Sequence, residues 1–145
     1  EDVNNNSLIL KVWVDGQSIL FLNDAGLTAE NRLLMGKYKD QVKSDIVQLA
    51  HHGQNGLSKT GYDAIDADVY LWCTPLWVWL NKEGNYQIDT VREWLNGETY
   101  LKSDEWNIVS CLYSAYPTDP TSVEDWKAVK DGMKIVLPYS YSARN

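Results

Sequence analysis

The sequence predicts an α/β fold, in which a mixed sheet begins with an antiparallel hairpin and is covered by helices. Two observations support this fold class. The first two runs of aliphatic and β-branched residues are separated by Asp15-Gly16, a dipeptide that favours the tight turn of a hairpin. Segments with the period of amphipathic helices then alternate with short apolar runs typical of buried strands, such as 45–50 and 68–74.

Composition and charge are those of a single acidic domain. The chain has 145 residues, enough to enclose one hydrophobic core, and its formal net charge is −7. This charge argues against general binding to nucleic acids or to anionic membranes. Two cysteines are too few for a disulfide scaffold. Because the chain begins at Glu1 without a methionine or a signal peptide, we expect residues 1–145 to be one domain taken from a longer protein.

The predicted elements alternate between strand and helix along the chain. After a polar lead-in at 1–6, they are strands at 7–14 and 17–23, a helix at 29–42 capped by Thr28, a strand at 45–50, a short helix at 60–65, a strand at 68–74, a helix at 88–96, a strand pair at 98–102 and 107–113, a helix at 123–130 and a strand at 133–137. Sequential elements usually neighbour one another, so the hairpin and the strand at 45–50 are expected to lie side by side.

Three side chains that can bind a metal ion fall at the ends of these neighbouring strands. Asp24 follows the second hairpin strand, and His51 and His52, the only two histidines, follow the strand at 45–50. Carboxylate oxygens and imidazole nitrogens are common zinc ligands. The alternatives are an aspartate in a turn and a histidine pair used for packing or hydrogen bonding. Adjacent residues of an extended backbone point to opposite faces, so only one imidazole should face a site unless the chain bends sharply between them.

Two stretches carry a resemblance to a known family. NNNSLILKVWVDGQSILFLNDAG, followed by a helix and KSDIVQLAHHG, resembles the second half of the metallo-β-lactamase superfamily and looks closest to ComEC-like, competence-type hydrolase domains. The resemblance implies the C-terminal half of an αββα sandwich. It also implies that Asp24 bridges two zinc ions, that His52 is the last histidine ligand, and that His51 is a second-shell or substrate-facing partner. The family prefers glycine where this chain has Asn23, which predicts a shifted carboxylate or a relaxed constraint.

The superfamily's H-x-H-x-D-H motif belongs to an N-terminal half that this sequence lacks. A catalytic zinc normally takes three protein ligands, so Asp24 with one or both imidazoles leaves the site incomplete. We expect a fragment of a metal-dependent hydrolase that is inactive alone and contributes part of a dinuclear zinc site. In an intact relative, a metal-activated hydroxide attacks an ester, amide or phosphodiester. The alternative is a degenerate, non-catalytic binding or assembly module of the same fold.

The expected partner is the missing N-terminal half of the parent protein. Half of a sandwich exposes an apolar sheet face, so we expect the isolated chain to self-associate as a homo-oligomer. Trp72, Trp77 and Trp79 flank Pro75 and are interpreted as core and rim packing, with an aromatic wall for substrate as the alternative. The resemblance suggests an extracellular or cell-envelope location, with a cytoplasmic relative as the alternative. The substrate is left open, because one fold serves many chemistries.

Overall fold

The computed structural model describes residues 3–75, 78, 81, 84, 87–96, 108–113 and 137–138. Within these residues, strands and helices alternate as the sequence predicts. The strands are β1 (Leu10–Val14), β2 (Gln17–Phe21), β3 (Ile46–Gln48), β4 (Val69–Pro75) and β5 (Ile108–Tyr113), and the helices are α1 (Leu27–Met35), α2 (Lys59–Ile65) and α3 (Ile88–Asn96). The predicted elements at 98–102 and 123–130, nearly all of the one at 133–137, and Trp77 and Trp79 lie outside the described residues.

The strands form one mixed sheet in the order β1-β2-β3-β4-β5. The first pair is antiparallel and each later pair is parallel, which confirms the α/β class and the initial hairpin. Asp15 and Gly16 both have a positive φ, 49° and 85°, as a two-residue turn of this hand requires. The parallel pairing of β2 with β3 places the carboxyl ends of these two strands at the same edge of the sheet.

The helices cover one face of the sheet. Leu20, Val47 and Tyr70 lie opposite one another in register on neighbouring strands, so their side chains share that face. All three are buried in the main hydrophobic cluster. The helices contribute Ala29, Tyr62, Ile65, Ile88 and Val91 to the same cluster. Among the described residues, no helix has both the length and the hydrophobicity needed to cross a membrane.

Helix α1 is shorter than the predicted helix at 29–42. Its N-cap is Gly26 rather than Thr28, and the backbone becomes extended at Gly36, directly after Met35. Glycine costs more conformational entropy in a helix than any other ordinary residue, so it is a natural point for the helix to end. The remainder of the predicted helix contains a separate 3-10 turn at Lys39–Gln41.

The amino-terminal lead-in is also a structural element, contrary to the prediction. Residues Val3–Asn6 form a 3-10 turn. The Asn5 side chain accepts a hydrogen bond from the Ala29 N–H at 3.2 Å, which satisfies one of the unpaired donors in the first turn of α1. A residue 24 positions earlier in the chain therefore supplies the hydrogen-bond acceptor for the first turn of this helix.

Strand β3 is also shorter than the predicted strand at 45–50. Asp45 lies directly before β3. The Asp45 carboxylate accepts hydrogen bonds from the backbone N–H and the hydroxyl of Ser18, both at 2.7 Å. Partial burial acts to raise the pKa of Asp45, but these two bonds and nearby Lys11 outweigh it and hold the pKa below its usual value. Beyond Gln48 the chain enters a tight turn at Ala50–Gly53, in which His51 and His52 have left-handed rather than helical φ/ψ.

The opposite face of the sheet and its β1 edge are apolar and partly exposed. On that face Ile46 and Val69 are buried, whereas Phe21 and Leu71 are only half-buried. Eight large hydrophobic side chains of the described residues are exposed, and five of them fall between residues 3 and 14. Those five are Val3, Leu8, Leu10, Trp13 and Val14. Within the described residues, the exposed apolar side chains are therefore concentrated on β1 and in the segment that precedes it.

Candidate functional site

Asp24 and His52 meet at the sheet edge formed by the ends of β2 and β3. The distance from His52 Nε2 to Asp24 Oδ1 is 3.6 Å, and the two side chains are 44% and 46% exposed. The structure thus brings together two of the three side chains that the sequence singles out. Their partial exposure leaves both accessible from outside the domain.

The orientation of the His52 ring is fixed by the neighbouring strand. Nδ1 lies 2.8 Å from the backbone carbonyl oxygen of Cys73 in β4. Because a carbonyl oxygen can only accept, Nδ1 must carry the hydrogen, and in the neutral ring the Nε2 lone pair faces Asp24. A lone pair and a carboxylate then face each other, and only a proton on Nε2 or a bound cation makes that arrangement attractive. A histidine held through its second nitrogen by a carbonyl is the usual arrangement around metal ligands.

The backbone at the histidines bends sharply. His51, His52 and Gly53 are three consecutive residues with positive φ, at 48°, 57° and 77°. The sequence left two outcomes open, and the observed one is the sharp bend rather than divergence along an extended strand: the ring centroids lie 6.4 Å apart in an edge-to-face arrangement. A left-handed conformation costs a non-glycine residue about 1–2 kcal/mol. Strain of this kind persists only where surrounding contacts impose it, and it clusters at functional sites.

Trp72 is one of the contacts that impose this bend. Its side chain is fully buried, and its indole N–H donates to the His52 carbonyl at 2.9 Å. A Cβ atom on Gly53 would lie 2.6 Å from the indole nitrogen, so only glycine lets the chain pass this close. The core interpretation of Trp72 is correct, and this core residue also shapes the histidine turn.

Tyr62, in α2, fixes the start of the same turn. Its hydroxyl oxygen accepts a hydrogen bond from the Ala50 N–H at 3.1 Å. Tyr62 is buried, and burial, together with the nearby Glu30 carboxylate, raises its pKa, so the phenol stays neutral. Glu30 is itself buried, and it binds the Ser58 hydroxyl at 2.7 Å, which anchors the start of α2.

The turns that carry Asp24 and His51 are joined directly. The His51 N–H donates to the Asn23 carbonyl oxygen at 2.7 Å. Asn23 has a φ of 51°, which explains why glycine would suit this position. Asparagine tolerates the left-handed region better than most residues, and the Asn23 amide also donates to the Leu8 carbonyl. The side chain at this position is therefore accommodated, and the Asp24 carboxylate remains next to His52.

His51 has a different environment from His52. Its Nε2 lies 3.4 Å from the amide nitrogen of Asn4, and its Nδ1 is buried without a hydrogen-bond partner in the described part of the chain. Sequence reasoning missed Asn4, because it lies in the asparagine-rich lead-in. It also missed Gln48, although a polar residue inside the apolar run of β3 was a signal that could have been used.

The described residues supply two close metal-ligand candidates, but not a complete site. No group of three or more His, Cys, Asp or Glu side chains able to hold a metal ion occurs among them. Comparison of the chain with protein-family models, curated proteins and solved structures gave no match. The family resemblance and the metal roles of Asp24, His52 and His51 therefore stay predictions, and they are taken up as a proposal below.

Proposed function

We propose that this chain is the C-terminal part of a metal-dependent hydrolase of the metallo-β-lactamase superfamily. Asp24 and His52 would contribute to a dinuclear zinc site that an N-terminal half bearing the H-x-H-x-D-H motif completes. The observation that carries this proposal is the 3.6 Å approach of His52 Nε2 to Asp24 Oδ1. His51, whose ring lies beside that of His52, would either support a metal ligand without binding the metal or face the substrate.

The distance between the two side chains suits a shared ion better than a direct hydrogen bond. Ligand atoms at about 2.0–2.1 Å from a tetrahedral zinc stand roughly 3.3–3.4 Å apart. A direct charge-assisted N–H···O bond would instead place them about 2.7–2.9 Å apart. The observed 3.6 Å is closer to the first value, and the Cys73 carbonyl already holds Nδ1 so that Nε2 is directed at the carboxylate.

Two ligands do not make a catalytic zinc site, so this polypeptide is inactive by itself on the proposed mechanism. A zinc ion held at the completed site supplies Lewis-acid activation of a scissile ester, amide or phosphodiester. The contribution of this chain is to hold one carboxylate and one oriented imidazole at an accessible edge, with the strained turn fixed by Trp72 and Tyr62. The pair is exposed enough for ligands from another segment to reach it.

The second candidate is a degenerate module of the same fold that binds or assembles without catalysis. The observation in its favour is the cluster of exposed apolar side chains along β1. In the first proposal, the same surface would meet the remainder of the hydrolase, and in the isolated chain it would drive self-association. Metal binding separates the two candidates, because only the hydrolase fragment needs Asp24 and His52 as ligands.

Zinc titration followed through the imidazole NMR signals tests the metal role. We expect the His52 signals to shift saturably with weak affinity, and we expect Asp24→Asn or His52→Ala to abolish that response. His51→Ala is the matched control and should leave most of the response in place. An unresponsive His52, or an unchanged response in Asp24→Asn, would overturn the hydrolase proposal in favour of the module. Tight one-to-one binding would show that the chain holds a third ligand.

Sedimentation velocity across a range of micromolar concentrations tests self-association. Leu10 on β1 is 47% exposed, and Leu10→Lys should shift the chain towards monomer. Met35, at the end of α1, is 84% exposed outside the β1 cluster, so Met35→Lys is the matched control and should leave the distribution unchanged. A wild-type chain that is monomeric at every concentration would contradict self-association.

A further inference from the structure

Gln48 occupies the last position of β3, opposite Phe21 at the end of the β2–β3 ladder. Its side-chain oxygen accepts two backbone hydrogen bonds, from the Leu22 N–H at 3.0 Å and from the Asn23 N–H at 2.7 Å. The side-chain amide nitrogen donates to the Leu49 carbonyl. The side chain thus extends the β2–β3 pairing by side-chain contacts, past the point where the strand register ends.

These bonds lead directly to the candidate metal site. Asn23 is held in a left-handed conformation, and its carbonyl oxygen accepts the hydrogen bond from the His51 N–H at 2.7 Å. Asp24 is the next residue in the chain. A continuous series of contacts therefore runs from the Gln48 side chain through the Asn23 backbone to both metal-candidate turns.

We propose that Gln48 is a positioning residue that sets the Asp24 carboxylate against His52 Nε2. This inference rests on the proposed function, since a fixed Asp24 carboxylate matters most if Asp24 and His52 bind a cation together. The hydrogen bonds of the Gln48 side chain go to Leu22, Asn23 and Leu49 and not to Asp24. It acts through the backbone N–H of Asn23, whose conformation determines where the Asp24 side chain begins.

Two substitutions of similar size separate hydrogen bonding from packing. Gln48→Leu keeps the volume but removes both the acceptor and the donor, whereas Gln48→Glu keeps an oxygen that can accept from Leu22 and Asn23 and loses only the bond to the Leu49 carbonyl. In the metal-free protein, we expect Gln48→Leu to increase amide exchange at Leu22 and Asn23 at least roughly tenfold. We also expect it to move the His52 imidazole signal towards its position in Asp24→Asn. Gln48→Glu should restore slow exchange at both amides.

The zinc titration supplies the functional readout. Loss of a residue that orients a metal ligand typically weakens metal binding about 10–100-fold, and we expect a weakening in that range for Gln48→Leu. The Ser44 N–H, which donates to the Ile65 carbonyl oxygen at 3.1 Å, is the control for general unfolding and should keep its wild-type exchange rate.

The outcomes are distinguishable from those of the proposed function. If Gln48→Leu leaves the His52 signal and zinc affinity as in the wild type while the two amides exchange faster, Gln48 merely closes the sheet edge and the inference is wrong. If wild-type His52 ignores zinc, the hydrolase proposal fails. The metal-free comparison of Gln48→Leu, Gln48→Glu and Asp24→Asn then still decides whether Gln48 positions the carboxylate.

Discussion

Gly53→Ala tests the contact that shapes the histidine turn. At a φ of 77° an added methyl group meets the indole of Trp72, with Cβ 2.6 Å from the nitrogen and 2.7 Å from Cζ2. Holding alanine in the left-handed region costs about 1–2 kcal/mol. Overpacking against a buried ring adds about 1–3 kcal/mol. We therefore expect the free energy of unfolding to fall by roughly 2–5 kcal/mol, measured by urea titration with circular dichroism at fixed protein concentration.

Gly16→Ala is the matched control for this measurement. Gly16 has a similar φ of 85°, but a Cβ added there has no atom within 4 Å. Gly16→Ala should therefore show the backbone cost alone, about 1–2 kcal/mol. The difference between the two variants isolates the contact with Trp72. Equal destabilisation by the two substitutions would refute the claim that Trp72 shapes the turn.

Two further predictions concern the residues that support the site. Tyr62→Phe removes the acceptor for the Ala50 N–H, so we expect the free energy of unfolding to fall by about 1–3 kcal/mol. Tyr38→Phe, at an exposed tyrosine, is the control and should change the free energy of unfolding little. Equal effects of the two substitutions would contradict the role given to the Tyr62 hydroxyl. The pKa of the Asp45 carboxyl is lower in the folded state than in the unfolded state, where it is about 3.9. The ionised carboxylate therefore stabilises the fold above the unfolded pKa, and this stabilisation is lost as the pH falls through the folded pKa. Asp45→Asn should therefore be less stable than the wild type by about 1 kcal/mol near neutral pH. Urea titrations at roughly pH 3 should show a smaller difference in the free energy of unfolding, and a difference that does not change with pH would argue against the stabilising role of the Asp45 carboxylate.

Local patterns predicted the parts of the fold that local chemistry decides. Asp15-Gly16 required a tight turn of one hand, and both residues adopt the positive φ that this turn needs. Helix α3 has the bounds of the predicted helix at 88–96. Gly36 was the missed local signal, because the apolar spacing beyond it suggested one continuous helix.

The parts that sequence reasoning missed depend on contacts between distant residues. The acceptor for the Ala29 N–H in the first turn of α1 comes from Asn5, and the acceptor for the Ala50 N–H comes from Tyr62, 12 positions later. The bend at His51 and His52 could not be read from the dipeptide, because a positive φ is uncommon for any residue other than glycine, histidine included. It is imposed by the indole of Trp72 and by the Asn23 carbonyl, each more than 19 positions away in the chain.

The proximity of Asp24 to His52 was predictable once the hairpin and the following strand were placed side by side. The details that direct His52 at Asp24 were not. The bond from His52 Nδ1 to the Cys73 carbonyl depends on the position of β4, which the histidine motif does not specify. The role of Gln48 likewise depends on the β2–β3 register, which brings its side chain to the Asn23 N–H.

A crystal structure of the chain soaked with zinc, with anomalous diffraction at the zinc edge, tests the central claim most directly. The account predicts a zinc peak between the two side chains, about 2.0–2.2 Å from His52 Nε2 and from an Asp24 carboxylate oxygen, with solvent completing the coordination. An absent peak at this edge, or zinc bound to His51 and to neither His52 nor Asp24, would contradict it.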